Sequence, residues 1–381
     1  VEVERGAFAN RLVPAMLARS ALAARDRALV TELVYGTTRM RRACEWLVRR
    51  HVRRWSGLDA RTRALLRMGA YQLHFLRVPP HAAVSESVAL ADPRHRALVN
   101  AVLRAVAADG DPAWPDEATR LSYPDWIVAE LTAALGRDRA LAALARMNEP
   151  AVVTRRPDGY VQDLASQWVA AYVAEGAAGE LVADVCAGPG GKATAIAAAG
   201  ASVVALDVNE RRAATVVANA AACGVRVAVA VADGRRPPLA PGSCDRVLVD
   251  APCSGLGVLR RRPDARWRVR PADLPALAAL QRELLEAAVA LVRPGGLVVY
   301  SVCTLTRAET EGIDAWLAAA HPEVAAVPPP GPPWEPVGRG ARLLPQAAGT
   351  DGMYLLAGRV GANEGHRRAG FVRAAAPGVP D

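Results

Sequence analysis

Residues 180–195 read ELVADVCAGPGGKATA, and the fold follows from how that stretch divides. The apolar run up to Cys186 has strand character, Gly188, Pro189, Gly190 and Gly191 make a turn, and the alanine-rich continuation is helical. Strand, glycine loop and helix in that order place free main-chain N–H groups at a helix N-terminus, where polar and anionic ligands bind. The Gly-Lys pair invites comparison with a phosphate loop, G-x-x-x-x-G-K-[ST]. Both ends of that pattern fail: Cys186 stands at the first glycine, and Ala193 stands where a hydroxyl would hold Mg²⁺.

Working outward, short apolar strands alternate with alanine-rich helices. The strands are LVADVC, SVVALDV, RVAVAVAD, CDRVLVDAP and GLVVYSV, with MYLLAGRV (353–360) as a last one. This alternation predicts a doubly wound, mainly parallel α/β sheet, which binds ligands at the carboxyl ends of its strands. Asp184, Asp207, Asp233 and Asp250 end four successive strands, and Asp207 follows Asp184 by 23 residues, the spacing of an acid that holds a ribose hydroxyl. A helix cap explains any one of these acids; four together point to a nucleoside ligand. A dinucleotide site is the competing reading, but the loop lacks the G-x-G-x-x-G order.

The chain has 381 residues, enough for two or three domains, and a net charge of +9. Residues 1–110 hold 19 Arg against 9 acids, a balance of +10, so the whole excess lies in the N-terminal third. That third has apolar residues at spacings of three and four and reads as all-helical. A lopsided basic segment implies a polyanionic partner, most often nucleic acid. Residues 109–124 are rich in Asp and Pro and read as a linker, followed by a short helical region near 125–147. The segment 328–337, PPPGPPWEPV, reads as a loop, and the chain after about 361 as a disordered Gly/Ala/Arg tail. No signal peptide and no apolar run of membrane-spanning length appears, so a cytoplasmic protein with reduced thiols is expected.

None of the six cysteines forms a C-x-x-C pair, which argues against a structural metal. Cys223 and Cys244 read as small core residues. Cys253, in DAPCSG, and Cys303, in YSVCTL, both follow strands whose carboxyl ends share one face, so both thiols border one cleft and suit nucleophilic chemistry. Beside them, GVLRRRPDARWRVR (257–270) carries six arginines and Trp267 and reads as a clamp on a nucleic-acid backbone. The stretch 39–67 has ten arginines and two acids interleaved with Trp46 and Trp55, a source of salt-sensitive, sequence-tolerant affinity.

Taken together, VQDLASQ, DVCAGPGGK, LDVNERR, ADGR, VDAPCSGLGVLRRRPDARW and RPGGLVVYSVCTLTRAETE resemble the Sun/RsmB family of RNA 5-methylcytosine methyltransferases, in that family's order and over nearly the whole chain. LVYGTTR, LLRMGAYQLHFL, VPPHAAVSESVALA and VNAVLRAV resemble the NusB-type helical domain fused to the RsmB branch. The resemblance implies a Rossmann-like S-adenosylmethionine-dependent methyltransferase sheet preceded by an all-α NusB-like domain. The expected division is 1–112 NusB-like, 113–165 linker and shortened connecting subdomain, 166–360 methyltransferase, and 361–381 disordered tail.

It further implies that Cys186, Ala187, Gly188, Pro189, Gly190, Gly191 and Lys192, with Asp207, Asp233 and Asp250, hold S-adenosyl-L-methionine. Cys303 is the implied nucleophile at cytosine carbon 6, Cys253 its partner, and Asp250 a group that can also steady the ring through N3. Arg260, Arg261, Arg262, Arg266, Arg41 and Arg42 are the expected RNA contacts, and a monomer without metal or membrane partner is expected. Lys192, the one lysine, has two readings: support for the donor loop, or a cation that lowers a nearby thiol.

The sequence departs from the family pattern at Gly188 (Ala), Ala193 and Val302 (both Thr) and Arg262 (His). The Arg-x-Asn after Asn-Glu-Pro is missing, because Arg155 is followed by Arg156 and Pro157, and a subdomain of some tens of residues usual before GYVQD is absent. Small-subunit rRNA is the expected substrate. The alternatives are the same chemistry on tRNA or another RNA, and a catalytically silent RNA-binding or antitermination-like factor.

Overall fold

The computed structural model describes residues 1–76 and 78–361; the expected tail, from 362 onward, lies outside the described residues. The N-terminal block is helical, as its spacing predicts. Helices Ala24–Arg39, Arg41–Arg49, Ala60–His74 and Arg96–Ala108 enclose a core of Leu47, Leu66, Val99 and Leu103. Asp59 caps the helix Ala60–His74 by accepting a hydrogen bond from the Thr62 N–H at 2.9 Å.

Nine strands are present among the described residues: β1 (Leu181–Asp184), β2 (Ser202–Asp207), β3 (Val227–Val231), β4 (Cys244–Asp250), β5 (Val292–Val302), β6 (Val324–Ala326), β7 (Glu335–Val337), β8 (Gly340–Leu343) and β9 (Met353–Val360). They make one sheet in the order β3-β2-β1-β4-β5-β9-β8-β7, with β6 also paired to β9. β3 to β5 are parallel; β9 runs antiparallel to β5. Strand order reverses between β1 and β4, so the crevice beyond their carboxyl ends is the natural ligand site.

Side-chain alternation gives the sheet two cores. Val247, Val249, Val298, Tyr300 and Leu356 face the helices Asp273–Leu291 and Glu311–Ala320. Val182, Leu248, Val299 and Leu355 face the opposite way, toward Leu164–Ala174 and Gly191–Ala198. The three strands that periodicity did not anticipate are short. β7 contains Pro336 and lies within the segment read as a loop; an edge strand tolerates a residue with no N–H to donate.

The segment 109–124, read as a linker, carries one short helix, Glu117–Arg120, and the region read as helical near 125–147 holds Asp125–Leu135 and Arg137–Arg146. Leu121, Tyr123, Ile127, Leu131, Leu144 and Met147 form a core of their own. That core includes Leu256, Leu259, Ala265 and Leu305, which flank the two cysteine motifs, so the connecting helices brace the site from behind.

Candidate active site

The donor loop is the turn between β1 and the helix Gly191–Ala198. Gly190 has φ +103°, and Gly188 has no room for a side chain: a Cβ there would stand 2.4 Å from Asp207 Oδ2. Asp207, 2% exposed at the end of β2, accepts from the Gly188 N–H at 3.0 Å and the Asn209 N–H at 2.8 Å, and Arg212 lies 3.1 Å away. The close fit of Asp207 to the loop accounts for glycine at 188, where the family pattern has alanine. Asp233 lies two residues beyond β3, held below the usual carboxylate range by hydrogen bonds from the Arg235 side chain and N–H.

Asp184 and Asp250 end the adjacent strands β1 and β4. Asp184 is 1% exposed; burial, then the neighbouring Asp250, pushes its pKa up to about 7. Lys192, 9% exposed, donates from Nζ to Asp250 Oδ2 at 2.7 Å. Burial pulls its ammonium pKa down, but the Asp250 carboxylate outweighs this and the net shift is upward, so the lysine is charged. Cys186 is driven the other way: burial and the surrounding acids push its thiol far up, leaving it inert.

The two cysteines converge. Asp250 pairs with Ser301 across β4 and β5, and two residues past that pair stands Cys303. Its Sγ lies 3.3 Å from Cys253 Sγ, and both are partly exposed. The two thiols are not equivalent. Cys303 is held below the usual thiol range by the hydrogen bond from Cys253, with Arg262 and Lys192 adding positive potential against burial and Asp250. Cys253 is raised by its bond to Cys303, by burial and by the charge of Glu309. These surroundings favour the proton on Cys253 over Cys303.

A model of the 16S rRNA methyltransferase RsmB/F family matches residues 171–357, and one of the NusB family matches residues 2–108. A putative methyltransferase of Mycobacterium tuberculosis is 37% identical over 93% of both chains. The ribosomal RNA small subunit methyltransferase B of Thermus thermophilus is 38% identical over 93% of this chain and 94% of its own. The chain belongs to the RsmB/F family. The crystal structure of PH0851 shares the fold, with a TM-score of 0.75 at 22% identity, covering 91% of this chain and 93% of that one. As an RsmB/F protein the chain is a methyltransferase with S-adenosyl-L-methionine as its cofactor. The site suits that molecule: a glycine loop closed on a ribose-type acid, with further acids at neighbouring strand ends, supplies polar partners for a nucleoside and negative charge for a sulfonium.

The arginines expected to clamp RNA divide sharply. Arg260, 3% exposed, bonds Asp351 Oδ1 at 3.1 Å, Asp163 Oδ2 at 3.3 Å and the Gly349 carbonyl at 2.6 Å. Arg261 meets the same two aspartates. Arg266 is fully buried, its guanidinium 3.9 Å from the Tyr123 ring centroid, and donates to the carbonyls of Arg39 and Ser122 and to Asn148 Oδ1. Arg42 is spent on Thr119, the Tyr123 carbonyl and Asp125. These four are spent on contacts inside the RsmB/F protein: Arg260 and Arg266 are buried, and Arg261 and Arg42 are paired with carboxylates and mostly covered. Of the run, Arg262 and Arg270 are exposed, Arg262 beside the thiols, while Arg41 lies half-buried over Trp267.

Sequence reasoning missed Glu309. It is fully buried and accepts from the Ser254 N–H at 2.8 Å, Ser254 Oγ at 2.6 Å, Thr306 Oγ1 at 2.8 Å and Gln281 Nε2 at 3.0 Å. Its partners lie up to 55 residues away along the chain, so no local spacing announced it.

Proposed function

We propose that this methyltransferase modifies carbon 5 of a cytosine in RNA, with small-subunit rRNA as substrate, through a covalent adduct on Cys303. The observation that carries the reading is the thiol pair, with sulfurs 3.3 Å apart at the strand ends beside Asp250. Carbon 5 of cytosine is too weak a nucleophile to take a methyl group unaided. Attack of the Cys303 thiolate on carbon 6 forms an S–C bond and moves the ring's electron pair toward carbon 5 and N3. In this reading Asp250, held by Lys192, meets the N3 edge once N3 takes a proton as negative charge builds there.

When bound, S-adenosylmethionine supplies the electrophilic methyl that the activated carbon 5 accepts. A base, for which water in the open crevice serves, then takes the proton from carbon 5; the electron pair of that C–H bond reforms the ring double bond and expels Cys303 as a thiolate, assisted by the Cys253 thiol hydrogen-bonded to it. A cytosine reaches this crevice only when unpaired or flipped out. Arg262 at the thiols, Arg41 over Trp267, and the exposed Arg49 and Arg50 beside Trp46 offer its flanking backbone a positive path with aromatic stacking surfaces.

The test uses purified protein, labelled methyl donor and 16S rRNA. Transfer to a cytosine is expected. Cys303→Ala abolishes it, and Cys253→Ala leaves a protein–RNA adduct on a denaturing gel. RNA binding without transfer, or an adduct that needs Cys253 and survives loss of Cys303, overturns the reading.

A further inference from the structure

The two thiols are chemically alike and in contact, yet the proposed reaction needs one to be the nucleophile. Their surroundings differ. Cys303 is faced by Asp250 and by the cations Arg262 and Lys192. Cys253 is faced by Glu309, whose carboxylate sits one residue away, on the main-chain N–H and hydroxyl of Ser254. Tyr300 packs near both Cys253 and Glu309; its hydroxyl donates to the Glu309 carbonyl at 2.8 Å and is pushed well up by burial, so it stays neutral.

Glu309 has no cationic partner among the described residues. Four neutral donors solvate it instead: the Ser254 N–H and hydroxyl, the Thr306 hydroxyl and the Gln281 amide. Neutral donors preserve a carboxylate's charge without cancelling its field. The same donors come from the Cys253 loop, from the turn after Cys303 and from the helix Asp273–Leu291, and Ser254 Oγ reaches Thr304 Oγ1 at 2.8 Å. One buried carboxylate therefore ties both cysteine motifs into one frame, with its charge held on the residue next to Cys253.

We infer that Glu309 is a positioning residue that assigns the roles of the thiol pair, keeping the proton on Cys253 so that Cys303 is the nucleophile. The inference rests on the thiol roles proposed above. Glu309→Gln keeps the shape of the side chain and removes its charge; its amide oxygen still accepts from the Ser254 N–H and Gln281, and the Ser254 and Thr306 hydroxyls can turn to accept from its NH2. Limiting iodoacetamide followed by peptide mass spectrometry reads which thiol is ionised.

In the wild-type protein Cys303 labels first, by about tenfold or more; in E309Q the preference falls to about threefold or less, because a pair this close shares its ionisation. Methyl transfer falls in parallel, and its pH profile changes shape rather than only its height. Ser254→Ala removes a strut and leaves the charge, so Cys303 keeps its lead. Wild-type labelling at Cys253 first overturns the thiol assignment and this inference together. Cys303-first labelling that E309Q leaves unchanged overturns the inference alone, as does S254A scrambling the order, which would assign the effect to geometry rather than charge.

Discussion

Lys192 is the only lysine among 47 basic side chains, and its surroundings explain why arginine does not replace it. The ammonium ends in a slot that is 9% exposed, directed at one oxygen of Asp250. A guanidinium is longer, planar and wider, and needs several acceptors in its plane. Lys192→Arg should therefore lower kcat/KM by about 100-fold, or about 2.7 kcal/mol, with an unchanged circular dichroism spectrum. Lys192 steadies the strand-end acid Asp250 and adds positive potential at the Cys303 thiol.

Asp184 gives a pH test at the same scale. Its folded pKa, about 7, lies above the unfolded value, so the stability it contributes is complete below about pH 4 and is lost as pH rises through 7. Asp184→Asn should consequently gain on the wild type between pH 5 and pH 8, read as the difference in Tm at each pH. Equal differences at both would count against a protonated Asp184.

At the scale of elements, the hairpin over 154–162 occupies the place of the missing subdomain. Arg155 bridges to Val161, and Arg156, 7% exposed, donates to the Gly191 carbonyl and to Thr194 Oγ1 at 3.0 Å. Asn219, from the helix Glu210–Ala222, reaches the Pro189 carbonyl at 2.8 Å and the Tyr160 hydroxyl at 3.3 Å, closing the other side of the loop. The donor loop is thus clasped from without. Arg156→Ala should raise the Kd for S-adenosylmethionine by about tenfold, measured by calorimetry, with a smaller change in kcat, as expected when binding geometry loosens. The six strands with a strong apolar run were legible in sequence because a buried sheet requires that run. The short strands β6, β7 and β8 were not, because they exist through pairing with β9 and with each other rather than through their own pattern.

Across the whole molecule, three parts of the chain meet around Arg266. Trp267 Nε1 donates to the Thr38 carbonyl at 2.7 Å, and Arg39 donates to the Arg260 carbonyl at 3.2 Å, so the helical domain is seated on the methyltransferase domain beside the cysteine motifs. Arg266→Ala should destabilise the protein by about 3 kcal/mol, seen in denaturant unfolding, because it empties a buried site and strands its acceptors. The exposed cations Arg49, Arg50 and Arg262 and the half-buried Arg41 should behave differently. Replacing Arg41, Arg49, Arg50 and Arg262 with alanine should leave stability nearly intact and make log Kobs for RNA fall less steeply with log salt, by about 0.7 per lost phosphate contact. A salt slope that responds to Arg266 instead would return that residue to the RNA surface.

The sequence by itself determined the fold class, the donor loop, the strand-end acids and the two cysteines, because each is local: an apolar run, a turn or a residue at a strand end shows in a window of about ten residues. It also located the excess positive charge. Which arginines are free to meet RNA, and which carboxylate tells the two thiols apart, were decided by the tertiary structure alone. Arg260 and Arg262 are two residues apart, one buried on Asp163 and Asp351 and the other exposed beside Cys303. Burial and the field of distant charges depend on what the folded chain brings near, and Glu309 meets Ser254 only because two strand ends, far apart in sequence, emerge on the same edge of one sheet.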